Sequence, residues 1–448
     1  MNFNKLRLKS QLILRFYIAE FLKNMRGQLG NYGIILMYII PIFLFFVFLE
    51  KTYAWYFKKE PFKQMDLISS LSAGFSNSIK DSLGIVFVIV SYGFMVSKLA
   101  IFEIKSTPLL YITAFVILDF YGYCTHRLAH SINFFWNKHA IHHSSEEFNL
   151  ACALRQPVAQ FVNLFTFILL PAAILGIPGQ VVAMVTPVHF FLQFWYHTVY
   201  IGKLGFLEMI IVTPSHHRVH HAINPMYIDK NHGQIFIIWD KLFGTFQEEL
   251  DEVPPVYGIT RPMKTWNPIR INFKHLTLLI QDAIHTKSWK NKWLIWFKPT
   301  GWRPEDVVEK YPVEKIKDPY QFVKYETSSS PLLMVWLWFQ VIITLIFMYH
   351  LFANLADIGK PHIFIYGGFL ILQIFAYSEL MDGSKQAFGW DVLKLMAGML
   401  ILFYFTGWFG ASGIYASLVL AYLLLSAGVT YYFNFLDKNR QLVKVSEA

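Results

Sequence analysis

The amino-acid sequence predicts an all-α integral membrane protein, a multi-span helical bundle with a histidine-rich domain on its polar side. Three observations carry this. Of the 448 residues 55% are hydrophobic and only 15% charged, and the mean hydropathy is +0.39, whereas a soluble chain carries about 25% charged residues. Apolar runs of roughly 20 residues, enough to cross a bilayer, recur along the chain. Sixteen histidines are present, and most fall in a few short stretches.

The elements follow in order. Residues 1–30 are a basic leader in which Lys5, Arg7, Lys9, Arg15, Lys23 and Arg26 alternate with Leu12, Ile13, Leu14 and Phe16. This pattern suits an interfacial helix on an anionic leaflet and lacks the features of a cleavable signal peptide. About nine apolar segments are expected, near 32–50, 83–102, 107–124, 158–177, 179–199, 331–353, 361–381, 390–408 and 412–433. A polar segment, 51–82, separates the first two. Pro178-Gly179 turns 158–177 back against 179–199 as an antiparallel hairpin. The resulting division is leader 1–30, first membrane segments 31–106, His-rich domain 107–250, polar extension 251–330, C-terminal membrane helices 331–433 and charged tail 434–448.

The net charge of +10 reflects basic residues at span flanks and in the 200–330 region, which fits a membrane surface and not nucleic acid. Two crossings in the hairpin place the regions after 124 and after 199 on one side, and the positive-inside rule assigns that side to the cytoplasm. A basic leader on the opposite side would conflict with that rule, so one of the first three segments is expected to be re-entrant or interfacial. The membrane is that of a bacterial cell or the endoplasmic reticulum. Cys124 and Cys152 are expected to be reduced thiols.

The histidines carry the chemistry. His126 and His130 are spaced i, i+4 and share a helical face. His139, His142 and His143 form an HxxHH string, and His217, His220 and His221 form a second. Such spacings let imidazoles converge on one point, and neutral imidazole suits iron, zinc and copper. Eight or nine histidines exceed the roughly four ligands of a structural zinc or three of a catalytic one, so two ions are the economical reading. His197, at the end of the hairpin, is a ninth candidate. His216 is set aside because His217 already satisfies the spacing. His189, His275, His285, His350 and His362 read as interfacial or hydrogen-bonded residues. No HExxH zinc-protease motif occurs, and no Glu-x-x-His pair is placed for a carboxylate di-iron bundle. An all-imidazole di-iron site in a membrane protein points to oxygen activation against an unactivated C–H bond, with the protein positioning substrate and excluding water.

The pattern resembles the eight-histidine signature of the fatty acid hydroxylase and sterol desaturase superfamily. Asn137 to Leu150 with Ala153-Leu154-Arg155-Gln156, Thr213 to His221, Tyr227 to Asn231 and Ile238 to Phe246 are similar to its alkylglycerol monooxygenase branch, most strongly over 110–270. The resemblance implies two iron ions held by His126, His130, His139, His142, His143, His217, His220 and His221, with His197 as a ninth ligand. It also implies O2-dependent cleavage of ether lipids, with a tetrahydropterin as reductant. Ser131 stands where the family usually has Glu, Cys124 where it usually has Trp, and His232 where the branch usually has Tyr, so His232 is not taken as a ligand. The electron donor itself is not legible.

Metal-bound imidazoles normally donate their other N–H to a carboxylate or carbonyl. Asp119 on the face of His126, Glu146 and Asp229 are the candidates, with Glu147 and Asp240 also near in sequence. Arg155 and Arg218 are read either as lipid-headgroup contacts or as internally paired. The competing functions are hydroxylation or desaturation of a fatty acyl, sterol or carotenoid lipid, and a non-enzymatic metal transporter or sensor. Transport would place polar residues near the midplane of several spans, whereas these histidines sit at span ends and in loops.

Overall fold

Short polar caps set where the helices start. Thr107 accepts a hydrogen bond from Leu110 N and is followed by Pro108. Asn267-Pro268 and Ser330-Pro331 repeat the device: a side-chain oxygen satisfies a free N–H, and proline occupies the first turn, where no N–H is needed.

The computed structural model describes residues 33–60, 63–84, 87–88, 91–105, 107–159, 162–163 and 165–437; the leader 1–30 and the end of the tail lie outside these. In chain order the helices are α1 (Gly33–Lys58), α2 (Gln64–Ser82), α3 (Tyr92–Leu99), α4 (Pro108–Ser131), α5 (Asn133–His139), α6 (Leu170–Leu175), α7 (Gly179–Phe191), α8 (Pro214–His220) and α9 (Ile238–Phe243). They continue as α10 (Pro268–His285), α11 (Trp289–Phe297), α12 (Glu305–Lys310), α13 (Pro331–Ala353), α14 (Leu355–Ile358), α15 (His362–Met381), α16 (Ala387–Tyr404) and α17 (Ile414–Tyr431). Beyond a two-residue parallel pairing of 87–88 with 162–163, no extended strand occurs among the described residues. The chain is all-α, as its composition predicts.

Among the described residues six helices are long and apolar enough to span a membrane: α1, α4, α13, α15, α16, and α17 with its continuation to Leu436. This is fewer than the nine segments expected. Among the described residues of 83–102 the one helix is the eight-residue α3. The hairpin 158–199 consists of apolar helices over Phe165–Leu175 and Gly179–Phe191; at 1.5 Å per residue the longer reaches about 20 Å, short of a hydrocarbon core of about 30 Å. Neither helix is long enough to cross it alone. Residues 64–82, polar in composition, form the buried helix α2. Its Ser72 and Ser76 hydroxyls bond back to Ile68 O and Ser72 O, so their polarity is spent within the helix.

The chain forms two compact units. Of the described residues, one comprises those within 33–48, 78–84 and 328–437; the other comprises those within 49–77 and 85–327 and holds both histidine strings. In the second unit, Leu110, Ala114 and Leu118 of α4 pack on Leu169, Ala172, Val181 and Val185 of the short hairpin, which fixes the end of α4 where His126 and His130 sit. Helices α10 and α11 are strapped to α5 by Asn133 Nδ2 to Ile295 O (3.0 Å), His275 Nε2 to Asn133 O (3.0 Å) and Leu276 N to Asn137 Oδ1 (2.9 Å).

Candidate metal centre

The histidines form two adjoining buried groups. In the first are His126, His130, His139, His143 and His220; in the second are His142, His197, His217 and His221. Within each, one ring nitrogen per residue lies within 4.8 Å of all the others. The HxxHH spacing explains the sharing. The i, i+4 pair His139/His143 enters the first group, while His142 enters the second. On α8 the assignment reverses: His217 and His221 enter the second group and His220 the first. Each string thus straddles both groups, and the groups touch, with the His143 and His221 rings stacked at 4.2 Å. His197, reached through the turn after α7, completes the second group.

The tautomers follow from what the outer nitrogens meet. His126 Nδ1 and His220 Nδ1 each lie 2.8 Å from a carbonyl oxygen, of His232 and Lys230 respectively. An Nδ1–H donating there leaves Nε2 as a bare lone pair aimed inward. Yet inside the groups the Nε2 atoms face one another: His126–His139 at 2.8 Å, His143–His139 at 3.0 Å, His217–His197 at 2.9 Å, His221–His217 at 3.0 Å and His221–His142 at 3.1 Å. His130 Nε2 and His220 Nε2 are buried with no partner at all. Burial holds His139, His142, His143, His217, His220 and His221 well below the ordinary imidazole value, and His197 at about 4. The rings are neutral at physiological pH, the metal-binding form. A cation between them would take up every inward lone pair at once. Bonds of about 2.1 Å at right angles to one ion put neighbouring nitrogens about 3.0 Å apart, which is the spacing seen. The residues therefore fit a metal ion in each group.

Local structure around the groups explains their order. The segment Asp229–His232 holds Asp229 and Asn231 at φ 57° and 55°, a left-handed conformation that Asp and Asn tolerate better than most. This turn presents the carbonyls of Lys230 and His232 to His220 and His126, and Asp229 Oδ1 to His130 Nδ1 at 3.3 Å. One loop thus orients three imidazoles of the first group. Asn231 is pinned by its amide to His216 O and Gln247 O, and Asp240 accepts from His232 N, Gly233 N and Thr245 Oγ1. On the other side Arg155 ties Asp66 (2.7 Å), Ser70 and Ser144 together, which secures the turn carrying His142 and His143. Tyr196, Trp136 and Phe148 pack on the rings of His217, His130 and His221 at 4.3, 5.0 and 5.2 Å.

Several expectations are corrected. Asp119 does not hold a histidine of either group: its carboxylate accepts from His189 Nε2, Ile235 N, Phe236 N and Trp239 Nε1. It anchors the 235–239 segment to α4 and gives His189 the hydrogen-bonded role expected of it. Glu146 accepts from Tyr325 N and meets no imidazole of the groups. Of the three proposed carboxylates, Asp229 alone reaches one. Arg155 and Arg218 are paired internally, with Asp66 and with Glu249, and neither is a headgroup contact. His275 meets Asn133 O, His285 stacks on Tyr311, His350 meets the Tyr366 hydroxyl, and His216 caps α8. His232 packs beside His130 but belongs to neither group. Ser131 is exposed and bonds back to Arg127 O. Both cysteines are free thiols. The carbonyls of Lys230 and His232 escaped sequence reading, although the Asp and Asn of that turn carried a signal.

The fold and the paired groups describe a multi-pass membrane protein with two histidine groups suited to metal, and its relatives make it an oxidoreductase, a monooxygenase acting on lipids. The family model for fatty acid hydroxylase matches residues 111–245, and the chain belongs to that family. Within it, the chain is 35% identical over 367 residues to the alkylglycerol monooxygenase of Homo sapiens, covering 81% of each chain. Its identity to the alkylglycerol monooxygenase of Xenopus tropicalis is 31% over 362 residues, 81% of this chain and 80% of the relative. The ornithine lipid hydroxylase OlsE of Rhizobium tropici is 33% identical over 148 residues, 32% of this chain and 44% of the relative. No solved structure matches the chain.

Proposed function

We propose that the protein cleaves the ether bond of alkylglycerols, using two iron ions. One would be held by His126, His130, His139, His143 and His220, the other by His142, His197, His217 and His221. The observation that carries this is the pair of buried, neutral, mutually opposed imidazole groups, read together with the similarity to alkylglycerol monooxygenases over four-fifths of the chain. Iron in these positions supplies the activation of O2 toward a C–H bond. One oxygen atom enters the C–H bond next to the ether oxygen. The other leaves as water, with two electrons and two protons from a reductant of the tetrahydropterin class. The hemiacetal so formed collapses to a fatty aldehyde and glycerol.

The chain's own residues prepare this chemistry. The 229–232 turn holds Nδ1 protons on His126 and His220, so that Nε2 stays a ligand. Asp229 Oδ1 sits 3.3 Å from His130 Nδ1 and orients that ring. Tyr196, Trp136 and Phe148 keep the groups dry, which raises every electrostatic interaction there. The site is assigned to the cytoplasmic face of the membrane, from the basic 200–330 region.

A second reading, hydroxylation without ether cleavage, is supported by the similarity to an ornithine lipid hydroxylase. The deciding experiment incubates iron-loaded protein with a 1-O-alkylglycerol, tetrahydrobiopterin and O2, with His142→Ala as control. Fatty aldehyde from the unsubstituted protein alone is the expected result. Intact iron with no aldehyde, and a hydroxylated acyl lipid instead, would favour the second reading.

A further inference from the structure

One cavity in the second unit has no role in the site described above. Its volume is about 120 Å³, room for about eight to twelve water molecules at about 10–15 Å³ of such volume each. That is room for a glycerol unit. Its inner wall is Phe148, stacked on Tyr257 at 4.9 Å. The other side of Phe148 packs on His221 at 5.2 Å, His197 at 6.0 Å and His217 at 6.1 Å. A single ring therefore separates the cavity from the second imidazole group. The outer wall is the last turns of α1, through Lys51 and Ala54. Around these, Tyr53, Trp55, Tyr56 and Phe57 are exposed and are followed by Lys58 and Lys59. Exposed aromatic residues followed by lysines mark the headgroup level of a membrane span.

The polar lining is charged, and its charges are largely paired. Lys51, Lys63 and Lys324 face Glu60 and Glu147. Lys324 pairs with Glu147 at 2.9 Å, Lys63 pairs with Glu326 at 2.6 Å, and Glu60 accepts the Tyr200 hydroxyl. The lining itself carries three ammonium groups and two carboxylates; Glu326, outside the lining, pairs with Lys63 and brings the local count to three of each. A phosphate would face no net positive charge, whereas a neutral polyol finds both donors and acceptors.

We propose that this cavity holds the uncharged glycerol headgroup of the substrate, an assignment that rests on the ether-lipid reading above. The carbon to be oxidised is the first of the alkyl chain, directly attached to the headgroup through the ether oxygen. Attack at that carbon requires a polar pocket immediately beside the metal groups. A pocket for the far end of an acyl chain would instead be apolar and deep. Phe148 lies where the chain leaves the headgroup and turns toward His142, His197, His217 and His221.

The test uses the full-length, iron-loaded protein in lipid nanodiscs. A 1-O-alkylglycerol carrying a photoreactive diazirine on its glycerol is cross-linked, and the modified peptides are mapped. Labels on 51–60, 147–149, 199–200, 257 or 324 are expected; labels confined to other segments would overturn the assignment. In parallel, Glu60→Gln removes one negative charge from the lining. Its kcat/KM for a 1-O-alkylglycerol 3-phosphate, relative to the neutral alkylglycerol, should rise by about tenfold. An equal change for both substrates would reduce Glu60 to a structural residue and sink the proposal. Failure of the unsubstituted protein to release aldehyde would remove the ether-lipid reading, while the cross-linking map would still decide whether the cavity takes the headgroup.

Discussion

Two regions of this molecule bury ionisable groups among apolar helices, and they do so in opposite ways. In the C-terminal helices, Lys394 and Asp391 are almost fully buried, with Lys394 Nζ 2.5 Å from Asp391 Oδ1. Ser426 bonds to both, and Thr430 bonds to Asp391. Gln340 extends the network by donating to Ser426 at 2.9 Å. Charges and hydrogen bonds match within the chain, so the network is complete alone. In the histidine groups the same degree of burial leaves ring nitrogens facing ring nitrogens, and His130 Nε2 and His220 Nε2 without any partner. A finished network is a helix-packing device. An unfinished one is a binding site.

Breaking each network should show that difference. The largest effect is expected in the unfinished one: His142→Ala or His220→Ala should lower bound iron and cut turnover more than a hundredfold, beyond the 10–100-fold typical of a residue that only orients a ligand. Elemental analysis with an aldehyde assay checks this, and full activity in either variant would remove the two-iron assignment. In the finished network, Lys394→Met should destabilise the protein by about 3–5 kcal/mol, because Asp391 is left as an unpaired buried charge. The double variant Lys394→Met/Asp391→Leu should recover most of that in thermal unfolding, with iron per folded chain unchanged. Asp119→Asn should cost about 1.5–3 kcal/mol by weakening charge-assisted bonds while leaving the ligands in place. The smallest change is expected for Asp229→Ala: about a tenfold loss of iron affinity, the low end for a ligand-orienting carboxylate, since Asp229 is largely exposed.

The all-helical class, the membrane setting and all nine clustered histidines were legible in the sequence, because hydropathy and i, i+3, i+4 spacing are local properties. The way the two strings divide between the groups was not, since it depends on how α5, α8 and the turn after α7 meet. The length of the 158–199 hairpin was misread because apolar composition marks partition into lipid, not helix length; Pro171, Gly176 and Pro187 interrupt that stretch. Asp119 was misassigned for a similar reason. Helical periodicity put it on the face of His126, but 235–239, distant in sequence, supplied it with better donors.

The Asp119 anchor also sets a timetable. Its partners Ile235 and Trp239 lie 116 and 120 residues further along the chain, and His142 meets His221 across 79 residues. Contacts of such sequence separation pay their loop-closure entropy before they return anything. A ribosome that has released His126, His130, His139, His142 and His143 has therefore made half a chelator with nothing to hold it. Only when the chain has emerged past Trp239 can α4, α8 and the 229–232 turn lock together, so metal capture is a late step in biogenesis, and a chain truncated before that residue would be apolar, sticky and unable to hold iron.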